Sequence, residues 1–393
     1  MADTADFIII GGGIAGASVA FELTRHGSVV LLETESSMGY HSTGRSAAVM
    51  TENYGPPLWS KLVTATRGFI ENPPEGFTSV PLVADRGAMF LAFEHENQKL
   101  RDQYDELVSR GAKVELFDAV DALKHCPLLK ADKFSTAMYE PDCKDVDTNE
   151  LLMGYVRSIK AAGGKVVTSA SVTKITKQNG AWTVETPAGT FSGAKIINAS
   201  GGWVQQVSDM AGLGYRNVVP FRRTAVTFDA PAGTDLHRWP MTFDVAETFY
   251  FKPEAGKVMV SPVDMEPSVP CDAQADELEV AVAIDRIQTF TTMEVKTISH
   301  KWGGLRTFAP DHEPVIGPDP EDNDFVWLAG QGGNGVMACA ASARMTAELA
   351  AGNDVPQDIL DLGVTAEAVS AGRDCVLKGN ADSVVVGSIE DMV

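Results

Sequence analysis

Cysteine is scarce and unpatterned in this 393-residue chain: Cys126, Cys143, Cys271, Cys339 and Cys375 make an odd number, with no C-x-x-C pair and no zinc spacing. They read as reduced thiols of a cytoplasmic protein, not as a disulfide framework. Seven histidines form no H-E-x-x-H, so no metal site is expected. No apolar run approaches the roughly 20 residues of a membrane-spanning helix, and the chain passes from six short residues straight into Phe7-Ile8-Ile9-Ile10, so neither a span nor a signal peptide is visible. Basic residues are outnumbered, 32 against 53 acidic, for a formal net charge of -21. Such a chain lacks the basic footprint that nucleic acid or anionic lipid demands of a partner.

What is present is ordinary globular composition, 44% hydrophobic and 22% charged, at a length suited to two domains or one composite unit. The first forty residues are the most informative. Phe7 to Ile10 is a continuous apolar run, as in a parallel strand buried on both faces. It ends in Gly11-Gly12-Gly13-Ile14-Ala15-Gly16, a small-residue helical stretch follows, and a second apolar strand, Val29 to Leu32, stops at Glu33. This is a βαβ unit with a G-x-G-x-x-G turn. Gly11 permits the tight turn, Gly13 lets backbone approach a pyrophosphate, and Gly16 lets the helix pack closely on the sheet. The helix N-terminus, with Ile14 and Ala15, offers free N–H groups to phosphate. Glu33 can accept both ribose hydroxyls of an adenosine and would repel a 2′-phosphate, which predicts FAD or NAD and not NADP.

Further along, Asp147 to Glu150 reads as a helix N-cap, with Leu152, Tyr155, Val156 and Ile159 at helical spacing and Gly163-Gly164 as the stop. Strands are expected at Val166-Val167, Val172 to Ile175, Trp182 to Val184 and Lys195 to Asn198. A last strand, Phe325 to Leu328, leads into Gly330-Gln331-Gly332-Gly333-Asn334-Gly335, a glycine turn that opens an Ala-rich helix. The stretches 85–143 and 219–303 lack this alternation and are β-rich with proline breaks, which predicts insertions forming a second layer. Gly44-Arg45-Ser46-Ala47-Ala48 looks like a nucleophile elbow, but no strand precedes it and no histidine is placed to activate Ser46.

These motifs, in this order, resemble the D-amino-acid oxidase and glycine oxidase superfamily, and most closely bacterial FAD-dependent D-amino-acid dehydrogenases of the D-arginine type. The resemblance is carried by Gly11 to Gly16 with Glu33, Gly39 to Ala48, Arg222-Arg223, Glu247 to Tyr250, Trp302 to Phe308, Pro314 to Gly317 and Gln331 to Gly335. It implies an α/β (α+β) fold: a Rossmann-like FAD-binding domain of the glutathione-reductase type (1–84, 144–218 and 304–372), an interleaved β-rich substrate domain (85–143 and 219–303) and a tail, 373–393. It also implies an extended FAD, with Ser42, Thr43, Ser46, Ala47 and Ala48 along the pyrophosphate and ribityl chain and Val172 near the adenine. Gly201, Gly332, Gly333, Asn334 and Gly335 would flank the flavin. The family's covalently flavinylated sarcosine oxidases carry a cysteine soon after the residue matching Arg306; none stands here, so noncovalent FAD is expected.

Oxidising an amine α to a carboxylate requires the acid pinned and the Cα hydrogen aimed at the flavin. Arginine suits the pinning because its planar fork matches a carboxylate. By resemblance Arg306 and Arg223 take that role, Tyr250 and Tyr54 bond the same end, and the Gly333 carbonyl takes the amine. Arg222 and Arg223 are neighbours on one strand, so only one can face the pocket. The net charge does not forbid an anionic substrate, since exposed charges are screened beyond roughly 8 Å. This chain departs from D-arginine-type members at three pocket positions: their glutamate, histidine and glutamine are replaced by Ala88, Val49 and Met337. The counter-charge for a basic substrate is gone, so a neutral or apolar side chain is expected, with Arg86 leaving an acidic one open. An N-substituted amino acid, a 2-hydroxy acid, or a non-catalytic flavin-binding subunit are the competing readings. The resemblance implies a dehydrogenase, while the residues do not say whether quinone, carrier protein or dioxygen reoxidises the flavin, and the oligomeric state is open too.

Overall fold

A computed structural model describes residues 3–378. Its first sheet grows from the apolar runs. Lys165–Val167, Val29–Leu32, Asp3–Ile10, Gly189–Asn198 and Phe325–Ala329 lie parallel in that spatial order. Lys174–Gln178 and Ala181–Thr186 continue the sheet as an antiparallel pair beyond Gly189–Asn198. Successive side chains of a strand alternate faces. Ile9, Leu31, Ile197 and Val326 therefore pack beneath the helices Ile14–Leu23, Thr148–Ala161 and Cys339–Ala351, while Ile8, Val30, Ile196 and Trp327 enter a second core on the other face. Burial on both faces explains why these strands are continuously apolar.

The second sheet has nine strands and is mostly antiparallel. Its long pair, Val219–Phe228 against Ile298–Phe308, runs in register from Val219 opposite Phe308 to Thr227 opposite His300. Lys257–Ser261, Tyr250–Glu254, Met241–Asp244, Ala88–Ala92, Thr136–Glu140 and Glu115–Phe117 follow in order. One face packs on the helix Glu277–Phe290 through Val226, Phe249 and Phe251. The other carries Ala88, Phe90, Phe243 and Tyr250 and turns toward the first sheet.

Several expectations shift. The Asp147 cap holds, its carboxylate accepting from Glu150 N at 2.8 Å ahead of Thr148–Ala161. Val172 is not in a strand: the strand starts at Lys174, and Val172 lies in the connection that borders the cleft described below. The Ala-rich helix starts at Cys339, so a turn through Val336 and Met337 separates it from Gly335. The boundary drawn between 303 and 304 falls inside one continuous strand, Ile298–Phe308. Of the tail, Arg373 pairs with Asp311 and Asp374–Leu377 is a short helix, while 379–393 lie outside the described residues. Among the described residues no helix is long and apolar enough to cross a membrane, and no cluster of three potential metal ligands occurs.

Candidate active site

An elongated cleft of about 470 Å³ runs between the two sheets, from Glu33 at one end to Arg223 and Arg306 at the other. Gly11 leaves its strand at φ +111, which L side chains rarely adopt, and a Cβ at Gly16 would overlap the Gly11 carbonyl oxygen. Gly11, Gly13, Ile14 and Ala15 line the cleft, whereas Gly16 serves the helix–strand contact behind it. Thr43 Oγ1 accepts from Ile14 N at 3.0 Å, fastening the next loop to the helix start. Glu33 is buried and accepts from Gly12 N at 2.6 Å and Glu35 N at 2.8 Å. Burial pushes its carboxyl up, and the backbone donors pull it back.

Ser42, Thr43, Ser46 and Ala47 form the middle wall, with Val172 and Gly201 also on the cleft. The loop is stitched to the long strand pair: Ser42 Oγ donates to Leu305 O at 2.5 Å, and Arg45 donates to Gly303 O at 2.8 Å and Ala273 O at 2.9 Å and pairs with Asp272. Ala48 lies just off the cleft, on the adjoining pocket. Gly332, Gly333 and Gly335 line the far end. Asn334 does not: its side chain is turned toward Gly55, and its buried Oδ1 has no partner among the described residues.

At this far end Arg223 is 7% exposed, and neither its Nε nor its Nη1 has a hydrogen-bond partner among the described residues. Burial, together with the facing Arg306 charge, lowers its guanidinium to about 10, which still leaves it charged at neutral pH. Arg306 lies against Gly333, where an added Cβ would sit 2.9 Å from its Nη1. Arg222 points to the other face, as alternation requires, and pairs with Asp276 at 3.0 Å. Tyr250 is buried beside the arginines, and Tyr54 stacks on Phe243 with ring centroids 5.7 Å apart. The carboxylate of Glu247, and then burial, hold the Tyr54 hydroxyl well above its ordinary range.

A pocket of about 40 Å³ adjoins the arginines, walled by Val49, Tyr54, Met241, Phe243, Tyr250 and Met337. Two sequence expectations fail here. Ala88 does not line this pocket; it is in the core behind, directly opposite Glu140 on the next strand. Arg86 precedes the strand that begins at Ala88 and is taken up by Asp145 Oδ2 at 2.7 Å and Trp239 O at 2.9 Å, which removes the counter-charge for an acidic substrate.

Sequence reasoning missed Glu35, His41 and Trp203 in the cleft and Met241 and Phe243 in the pocket. His41 Nε2 meets Glu35 Oε1 at 2.9 Å, and its ring lies 4.6 Å from that of Trp203. The alternation Met241-Thr242-Phe243-Asp244 was the available signal for the last two, since it puts both apolar residues on one strand face.

An acid at one end, glycines admitting backbone approach in the middle and two guanidiniums at the other end fit an extended dinucleotide with an anion beside it. The family described as DAO, FAD dependent oxidoreductase, matches residues 6–349. Mouse mitochondrial dimethylglycine dehydrogenase is 24% identical over 92% of the chain, which spans only 44% of that protein's length. Glycine oxidase of Bacillus subtilis (strain 168) is 23% identical over 90% of the chain and 95% of its own. The FAD-bound structure of L-alpha-glycerophosphate oxidase from Mycoplasma pneumoniae superposes with a TM-score of 0.80 at 18% identity, over 88% of this chain and 95% of that one. The chain belongs to the DAO family of FAD-dependent oxidoreductases.

Proposed function

We propose that this enzyme oxidises a small α-amino acid with a neutral or apolar side chain, of D configuration, to the imino acid, which water converts to the 2-oxo acid and ammonia. The observation that carries the reading is Arg223: a buried guanidinium with two nitrogen atoms unpartnered among the described residues, beside a second arginine on the neighbouring strand. A buried cation left unpaired costs free energy, so a site built this way is completed by an anion. FAD, when bound, supplies the two-electron acceptor. Arg306 and Arg223 hold the substrate carboxylate. Tyr54, kept as a hydroxyl, and Tyr250 donate to the same end, and the Gly333 carbonyl accepts from the amine. None of the residues lining the apolar pocket beside them is acidic, which favours a small neutral substituent. The D configuration rests on the motif resemblance. Among the described residues no cysteine lines the cleft, which supports FAD held without a thioether link.

A second reading, an N-substituted amino acid, is favoured by the likeness to dimethylglycine dehydrogenase over 92% of the chain; the same pocket would then take an N-alkyl group. Anaerobic titration with D- and L-amino acids and their N-methyl derivatives, read by loss of flavin absorbance, tests both. Ammonia as product supports the first and methylamine the second. A flavin that no amino acid bleaches overturns both and leaves a 2-hydroxy acid as substrate or a non-catalytic flavin subunit.

A further inference from the structure

Lys252 is a buried ammonium that the proposed chemistry does not use. It lies two residues after Tyr250 on the strand Tyr250–Glu254, so both side chains leave the same face, and its own is 4% exposed. Its ammonium donates to Ala47 O at 2.8 Å and to Asp145 Oδ1 at 2.8 Å, and pairs with Glu254 at 3.1 Å. The Ala47 carbonyl belongs to the peptide whose N–H, that of Ala48, donates to Ser46 Oγ at 3.1 Å. Ala48 stands at φ +39, uncommon for a side-chain-bearing residue, and its carbonyl accepts from Val146 N at 2.9 Å. Ser46 and Ala47 line the dinucleotide cleft, the small pocket and a third cleft on the outer side of the loop. Among the described residues Ser46 Oγ donates to no protein acceptor.

We propose that Lys252 is a positioning residue for the active site: its ammonium fixes the Ala47–Ala48 peptide, whose N–H holds the Ser46 oxygen and leaves the Ser46 hydroxyl proton to point into the cleft. The inference rests on the reading that this cleft holds FAD and the substrate carboxylate. A methionine would fill the same space without the cost of burying a charge. What the ammonium adds is a carbonyl pinned from behind in a loop that walls three cavities.

The test compares Lys252→Met, Lys252→Gln and Ser46→Ala in FAD-loaded protein. The readouts are the visible flavin spectrum, the dissociation constant of acetate from flavin difference spectra, and kcat and KM separately. Lys252→Met should retain FAD, shift the flavin spectrum and weaken acetate on the order of tenfold, the scale of one lost hydrogen bond. Lys252→Gln, which keeps one N–H for Ala47 O, should recover most of that loss. Ser46→Ala should shift the spectrum in the same direction, and the double variant Lys252→Met/Ser46→Ala should be no worse than the single ones, because both act on one relay. A Lys252→Met protein with lower Tm but parental spectrum, acetate affinity and kinetics per bound flavin overturns the proposal. Should Lys252→Met not fold, a Ser46→Ala protein with parental spectrum and acetate affinity overturns it equally. The flavin spectrum is readable whether or not amino acids reduce the flavin, so a wrong substrate class is distinguishable from a wrong role for Lys252.

Discussion

Arg223 and Arg306 stand diagonally on two antiparallel strands: Arg223 is opposite Gly304 and Arg306 opposite Phe221, so both guanidiniums leave the same face with no side chain at 304 between them. Two like charges brought together and desolvated at one end of a cleft destabilise the empty protein. An anion arriving between them relieves both costs.

The first prediction follows from that asymmetry. Arg223→Met removes a buried cation two of whose nitrogens have no hydrogen-bond partner among the described residues, so the substrate-free variant should melt at the same temperature as the parent or above it, while KM for the best amino acid rises on the order of 10- to 100-fold. Arg306→Ala should raise KM comparably and keep FAD, and Arg306→Lys should recover only part, because a point charge lacks the planar fork. Thermal melts with and without acetate, beside steady-state kinetics, check this. An Arg223→Met protein that loses several degrees without ligand would show that the guanidinium is structural.

A second prediction concerns the missing counter-charge. Ala88 faces Glu140, which is 2% exposed, is pushed toward its neutral form by burial and accepts from Thr51 Oγ1 at 2.7 Å. Restoring a glutamate at position 88 would therefore put two buried carboxyls directly across a strand pair, roughly 5 Å apart at Cβ. Ala88→Glu should lower Tm and fail to create activity on D-arginine. Ala88→Glu/Glu140→Ala should recover Tm relative to the single variant. Equal Tm values for the two would mean that the side chains do not meet.

How far the sequence could be read depended on whether a feature was local. The βαβ unit was legible because Gly11, Gly13, Gly16 and Glu33 act within one turn and its flanking strands, and the Asp147 cap for the same reason. Arg223 was separable from Arg222 because alternation on a strand allows one inward residue. Arg86 and Ala88 were misplaced because Gly87, at φ +73, breaks the extended chain between them and the strand begins only at Ala88, which no two-residue periodicity reveals. Glu140 and Lys252 were invisible because their partners, Thr51 and Ala47, are 89 and 205 positions away. Such pairs are set by the sheet, not by spacing.

Gly332 and Gly333 should fail differently when replaced by alanine. At Gly332 φ is +49 and a Cβ would collide with the Phe308 ring, so Gly332→Ala should cost folding stability, about 1–3 kcal/mol from the backbone alone. At Gly333 the Cβ would sit 2.9 Å from Arg306 Nη1, the movable end of a side chain. Gly333→Ala should fold normally and raise KM by displacing the guanidinium. Urea midpoints and KM measured on both variants distinguish the two, and a Gly333→Ala enzyme with parental KM would place Arg306 outside substrate contact.

The last prediction is a pH dependence of stability from Glu313. Its Oε2 is buried without a partner among the described residues, and burial, with the neighbouring Asp311 charge second, lifts its carboxyl from an ordinary 4.5 to about 7. The unfolded chain releases this proton at the lower pH, so between about 4.5 and 7 the native state binds more proton than the unfolded state. Its contribution is therefore favourable below that window and is lost as pH rises through it. Glu313→Gln imitates the protonated form at every pH. Variant and parent should melt together near pH 4.5, and by pH 8 the variant should be more stable by about 1–3 °C, solvent access to the site keeping the gain small. Melting curves of the two proteins from pH 4.5 to 8.5 check this, and a Tm difference that is constant across the range would assign the effect to packing at position 313 and not to its charge.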